Sequence, residues 1–251
     1  MTDAPTIVVV GATSGLGRAV ATAYAARGWR VGVCGRREDA LRELAALWPD
    51  KVSVCRLDVT HPDSAALFRQ FIERLGGIDI LFYAAGCGWN NPMLDTANDD
   101  TTVRTNVDGF TRIVGTTFNW FATHGPLTLK KGALCAITSI AGTRGIGISA
   151  TYSASKRYQT TYLDALSQLA RVRGVRLTVT DIRPGFVDTA LLDSATRRYP
   201  MLMSVDYAAK KIVKAVDRRR RVAYIDWRWH AIVLLWRLIP LRIWRRLKLK
   251  F

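Results

Sequence analysis

The chain reads as an α/β protein: a doubly wound parallel sheet of about seven strands with helices on both faces, a three-layer sandwich, followed by a basic amphipathic helical tail. Three observations predict this. Short β-branched runs alternate with helical patterns along most of the chain, and strands separated by helices pair in parallel through right-handed crossovers. The first strand runs directly into a glycine turn and a helix. Residues able to do chemistry recur just after the strands, at the edge where such sheets bind ligands.

Length and composition agree. At 251 residues with 49% apolar content, the chain can bury a full core and leaves no large disordered region. We expect a single domain over 1–226, with an irregular covering segment near 189–204, and the tail over 227–251. Cys34, Cys55, Cys87 and Cys135 lack metal-ligand spacing, so no metal is expected, and three of them fall in predicted strands as small buried groups. Met1 to Pro5 lead into strand sequence without a basic stretch or apolar signal core, which points to a cytoplasmic protein.

Taken in order, Thr6 to Val10 is a strand, followed by Gly11, Thr13, Ser14, Gly15, Leu16 and Gly17, then an alanine-rich helix to Arg27. Strand, glycine turn and helix make a phosphate cradle, because glycines let the backbone approach and the helix N-terminus offers free N–H groups. Arg30 to Cys34 is a second strand ending in Gly35-Arg36-Arg37. An acid at this point would bind the ribose hydroxyls of NAD; a small residue followed by arginines suits the 2′-phosphate of NADP. Arg36 is the main candidate, with Arg37 and Arg18 in support.

Glu38 to Trp48 is an amphipathic helix, and Val52 to Leu57 a strand running into Asp58 and Val59. Asp58 has two open readings, an adenine contact or the N-cap of the helix that begins near Pro62. Ile78 to Ala84 is a fourth strand ending at Ala85-Gly86, and Thr96 to Thr123 a long helix. Asn106 is unusual inside that helix, which points to a local kink or a water-binding role.

The fifth strand, Ala133 to Thr138, delivers Ser139. The following helix carries Tyr152 and Lys156, which share a face at a spacing of four and run on to about Arg173. A free phenol titrates near ~10, and a neighbouring ammonium would lower it toward a useful general acid or base. Ser139 could then hydrogen-bond the oxygen being protonated. Val175 to Ile182 is a sixth strand, followed by Pro184-Gly185, Val187 and Thr189; the Pro-Gly turn either presses backbone against a flat cofactor ring or is simply tight. Residues 189–204 keep apolar side chains without periodicity, as a lid would. Val205 to Val216 is helical, and Val222 to Ile225 is a last strand.

With these residues in one chain, the sequence resembles the short-chain dehydrogenase/reductase family, in its branch of about 250 residues. The Gly11, Gly15, Gly17 turn matches, as do Asp58, Asn106 in Asn-Val-Asp-Gly, Ser139, Tyr152, Lys156 and Pro184-Gly185 with Thr189. The resemblance implies a Rossmann-like fold and hydride transfer between a nicotinamide and a carbonyl or alcohol carbon. Tyr152 would exchange the proton, Lys156 would bind the nicotinamide ribose and lower the Tyr152 pKa, Ser139 would orient substrate, and Asn106 would hold a relay water. Val187 and Thr189 would contact the nicotinamide amide. The resemblance also implies a homodimer, while Arg36 and Arg37 after Gly35 point to NADP(H) in preference to NAD(H). Two positions depart: Val10 stands where the family has Thr, and Tyr83-Ala84-Ala85-Gly86 where it has Asn-Asn-Ala-Gly.

The net charge of +17 is concentrated at the end: from Arg218 to Phe251 there are eleven Lys or Arg against Asp226 alone, a net of +10. Trp229, Ile232, Val233, Trp236, Ile243 and Leu247 lie near one stripe, with Pro240 dividing two short helices. Either this tail lies on an anionic membrane at its inner face, or its stripe packs on its own domain or a dimer partner. The expected function is an NADP(H)-dependent reductase of a hydrophobic or lipid-linked ketone. The alternatives are a soluble reductase of small carbonyl compounds and a non-catalytic NADP-binding redox sensor. Nucleic acid is not an expected partner, because the tail carries no reading module.

Overall fold

A computed structural model of the chain describes residues 4–192 and 198–249. The strands are β1 (Thr6–Val10), β2 (Arg30–Gly35), β3 (Val52–Arg56), β4 (Ile80–Tyr83), β5 (Gly132–Ile137), β6 (Leu177–Pro184) and β7 (Val222–Ile225). They form one parallel sheet in the order β3-β2-β1-β4-β5-β6-β7. The winding reverses between β1 and β4: β1 pairs with β2 on one side and with β4 on the other, Ile7 standing opposite Val31 and Ile80. That reversal opens a crevice at the C-terminal ends of the two strands.

The helices are α1 (Gly15–Ala26), α2 (Glu38–Ala46), α3 (Ser64–Arg74), α4 (Thr96–Val103), α5 (Phe110–His124), α6 (Ala150–Val172), α7 (Val205–Asp217), α8 (Trp227–Leu238) and α9 (Leu241–Trp244). The period-2 pattern of the strands sorts them into two layers. In β1, Ile7 and Val9 join one cluster with α1, α2 and α7, while Val8 and Val10 join the other with α3, α5 and α6. Each such residue is essentially inaccessible, and each fully buried side chain contributes about 1.5–3 kcal/mol of transfer free energy. At the opposite, N-terminal edge, buried Asp79 accepts from the N–H groups of Thr6, Thr128 and Leu129, which ties β1, β4 and the approach to β5 together.

The helix expected over Thr96 to Thr123 is three segments: α4, a π-helical turn over Arg104–Gly109, and α5. Asn106 lies inside that turn, so the kink signalled by its position is a change of helical pitch. Asp58 does not cap α3, whose N-cap is Asp63. The N-cap reading of Asp58 is therefore withdrawn. Its carboxylate instead accepts from the Thr60 N–H (2.9 Å) and hydroxyl (2.8 Å), closing a local turn.

The tail departs from the expected single stripe. Trp229 and Val233 are buried in the same cluster as α1 and α7, with Ile232 and Trp236 packed against it, whereas Ile243 and Leu247 are exposed. The α8 stripe thus packs on its own domain. Of the expected lid, 193–197 lie outside the described residues; its base is fixed by pairing of Val187 with Met203.

Candidate active site

At the end of β1 the chain turns at Gly11, whose φ is +90°. A Cβ there would lie 2.5 Å from the backbone nitrogen of Ala85, because the Ala84 N–H donates to Val10 O at 2.7 Å and draws the two strand ends together. Gly17, in the first turn of α1, is as crowded: its Cβ would fall 2.1 Å from the Gly11 carbonyl oxygen. This backbone contact joins the strand ends where Val10 and Ala84 replace the family's polar residues, and the small Ala84 side chain leaves room for Gly17. Ser14 is extended at the N-cap without a side-chain cap bond, so the first-turn N–H groups of Gly15, Leu16 and Gly17 face outward along α1. Thr189 closes over the turn, its Cγ2 3.2 Å from where a Gly15 Cβ would stand.

Beside the turn, Arg37 donates to Thr13 Oγ1 at 3.0 Å, and Arg36 is exposed at the end of β2. Burial of Asp58 raises its pKa, but the Thr60 bonds and the Arg36 charge outweigh it and hold the carboxyl below its ordinary range. Arg18 pairs with Glu43 of α2 at 3.7 Å, an exposed ion pair. Val59 is buried against Gly109.

Further along the edge, α6 brings Tyr152 and Lys156 beneath Ser139. The backbone here is tight: a Cβ on Gly88 would meet Tyr152 Cδ2 at 2.1 Å, and one on Gly86 would crowd Asn106 Oδ1 and Lys156 Nζ. Asn106, fully buried, pairs with the whole Cys87 peptide, accepting from its N–H (3.0 Å) and donating to its carbonyl (2.7 Å). It also donates to Ser155 Oγ at 3.0 Å. Lys156 Nζ donates to Ile137 O at 3.2 Å and to Gln159 Oε1 at 3.0 Å; Gln159 Nε2 in turn donates to the Asn106 carbonyl at 2.9 Å. Lys156 is therefore joined to Asn106 directly through a buried amide. The carbonyl of Asn106 thus accepts one hydrogen bond from Gln159 and keeps a second lone pair.

The proton chemistry also differs from expectation. Burial pushes the Tyr152 phenol up to about 12, while its hydrogen bond with Ser139 works the other way. Lys156 Nζ lies 5.8 Å from the phenol ring centroid, and burial outweighs the influences that would lower the phenol. Burial instead pulls Lys156 itself down to about 8, against the attraction of Cys87 and Asp181. The arrangement holds a neutral phenol, a proton donor, beside an ammonium that gives up its charge in mildly alkaline solution.

A family model for short chain dehydrogenases matches residues 5–200. The chain belongs to the short-chain dehydrogenase family. An uncharacterized oxidoreductase of Mycobacterium tuberculosis is 32% identical to this dehydrogenase over 253 residues, covering 96% of each chain. One of Myxococcus xanthus is 34% identical over 230 residues, covering 88% of this chain and 87% of its own. Among solved structures, a short chain dehydrogenase from Burkholderia cenocepacia in complex with NADP superposes with a TM-score of 0.82 at 20% identity, covering 100% of both chains.

The dehydrogenase's own residues fit a dinucleotide. Bare glycines allow close approach, uncapped N–H groups face outward, and two arginines flank them. At the Pro184-Gly185 turn, the missing side chain is filled from elsewhere: a Gly185 Cβ would lie 2.1 Å from Trp229 Nε1. Sequence reasoning missed this partner, and it missed Gln159, Ser155 and Gly88. The signal for Gln159 was present, since it is a polar residue in the inward stripe Lys156, Gln159, Leu163, Leu166, Ala170.

Proposed function

We propose that this dehydrogenase is an NADP(H)-dependent oxidoreductase that reduces the carbonyl of a hydrophobic ketone to a secondary alcohol. The observation that carries the reading is the protonated Tyr152 phenol, hydrogen-bonded to Ser139 on the same sheet edge as the glycine turn and Arg36. When bound, the nicotinamide supplies the hydride. The Gly11–Gly17 turn and α1 N-terminus hold its diphosphate, Arg36 and Arg37 take the 2′-phosphate, and Asp58 and Val59 flank the adenine. Ala85 and Gly86 border the ribose, which Lys156 binds; Pro184, Gly185, Val187 and Thr189 line the nicotinamide side. Ser139 and Tyr152 grip the substrate oxygen, and Tyr152 delivers its proton there as the alkoxide forms. Asn106 holds the Cys87 strand end in place, and Gln159 orients Lys156.

Burial keeps the phenol protonated at neutral pH, the form that donates to a carbonyl oxygen. The exposed Leu191 and Leu202, in the segment that follows the Pro184-Gly185 turn, favour an apolar substrate. Exposed Val103 on α4 and Tyr158, Leu169 and Val172 on α6 suit a homodimer of a cytoplasmic enzyme, which light scattering would check. The direct test is NADPH oxidation with aliphatic ketones of increasing chain length. Turnover rising with chain length and absent in Tyr152→Phe supports the reading; preference for short ketones redirects it to a small-carbonyl reductase; no turnover with any carbonyl contradicts it.

A further inference from the structure

We infer that the outer face of α8, continued by α9, is a docking surface for an anionic lipid bilayer, set at the entrance to the catalytic cleft. α8 is apolar on both sides. Its inward stripe, Trp229, Ile232, Val233 and Trp236, closes the core. Its outward stripe, Trp227, Ala231, Leu234, Leu235 and Leu238, repeats at the same spacing on the opposite side of the helix, with Trp227 77%, Leu235 63% and Leu238 78% exposed. Leu241 and Ile243 extend it onto α9, both about half exposed. A soluble surface rarely carries so contiguous an apolar face without a partner.

Charge selects the occupant. The segment from Arg218 to Phe251 carries a net charge of +10, and Arg237, Arg242, Arg245 and Arg246 are all exposed around the leucines. A second copy would bring the same charge against itself, which disfavours self-association through this face. Leucines in the middle of a cationic rim match acyl chains and anionic headgroups together. No helix among the described residues is long and apolar enough to cross a membrane, so the contact is peripheral.

The tail is also fastened to the catalytic loop. Arg144, between Ser139 and Tyr152, donates to the carbonyls of Arg237 (3.0 Å) and Ile239 (2.8 Å), capping the C-terminal end of α8. Trp244 Nε1 donates to Gly145 O at 2.8 Å. A bilayer on the outer stripe would thus act on a tail fastened to the segment between Ser139 and Tyr152, the side from which we infer that an apolar ketone enters. Docking itself does not depend on the catalytic reading, whereas delivery of substrate does.

The test is sedimentation of the full chain with phosphatidylglycerol vesicles and with phosphatidylcholine vesicles, with NADPH binding and thermal midpoint followed in parallel. Wild type should bind the anionic vesicles, lose most of that binding in high salt, and ignore the neutral ones. The triple variant Leu234→Ser, Leu235→Ser, Leu238→Ser should bind on the order of 100-fold more weakly with its thermal midpoint and NADPH affinity kept. Leu238→Ser alone gives a smaller loss at a site with little to unfold. Wild type that ignores phosphatidylglycerol overturns the inference. So do leucine variants that bind as well as wild type, a triple variant that dissociates an oligomer instead, or duplex DNA displacing the vesicles in a leucine-independent way. Vesicle binding without NADPH binding would retain the docking surface and sink the enzymatic reading.

Discussion

The glycine turn and the Lys156 pocket stand at the same edge of one sheet and are built in opposite ways. Around Gly11–Gly17 the backbone is packed against itself, yet its outward N–H groups and Arg36 are left facing solvent. Around Lys156 every polar group named has a partner within the fold: Lys156 with Ile137 and Gln159, Gln159 with Asn106, and Asn106 with Cys87 and Ser155. The first region is shaped to gain interactions from a ligand. The second is already rigid, because a buried amide or ammonium without a partner is costly, and it fixes the position of Tyr152 before anything binds.

The contrast can be broken most severely at the phenol. Tyr152→Phe should lower the reduction rate about 100- to 10,000-fold while leaving NADPH affinity within a few-fold of wild type, as stopped-flow and fluorescence would show. A parallel loss of cofactor binding would mean that the two regions are not separable.

Next in size is Gln159. Leucine there removes an acceptor from Lys156 and leaves the Asn106 carbonyl unpaired, so the rate should fall about tenfold. In wild type the rate should decline as pH rises through about 8, where Lys156 loses its charge, with no limb from Tyr152 until about 12. Gln159→Leu should move the Lys156 limb to lower pH. Gln159→Glu, which sets a carboxylate beside the ammonium, should move it higher. A pH–rate profile identical in all three proteins would reduce Gln159 to packing.

The smallest effect falls on stability. An alanine at Gly185 must displace the Trp229 indole and should cost about 1–3 kcal/mol, read as a lower thermal midpoint. Trp229→Phe in the same background should recover part of it, which a melting curve of the double variant would show. Full stability in Gly185→Ala would leave the glycine explained by the cofactor alone.

The sheet and its ligand-binding edge were legible because β-strand alternation and the strand–glycine–helix order are local patterns. Side-chain partnerships across 50 residues are not local. Gln159 reads as one more polar residue in a helix until the π-helical turn points the Asn106 carbonyl at it. The direction of the Tyr152 shift was misread for a similar reason: i and i+4 spacing gives proximity, but burial decides the sign when the ammonium sits 5.8 Å from the ring and is held by other groups. In the tail, Trp229 to Trp236 gave the inward stripe, but its destination depended on the bare face of Gly185, and the second, outward stripe was hidden by the first.

The central claim, that the open region takes NADP(H), is tested most directly by titrating NADPH and NADH into wild type and Arg36→Ala and following nicotinamide fluorescence. Wild type should prefer NADPH, and the variant should lose about 10- to 100-fold in NADPH affinity with NADH little changed, as expected for a charge-assisted contact to the 2′-phosphate. Binding of neither dinucleotide, or an NADPH affinity indifferent to Arg36, would contradict it.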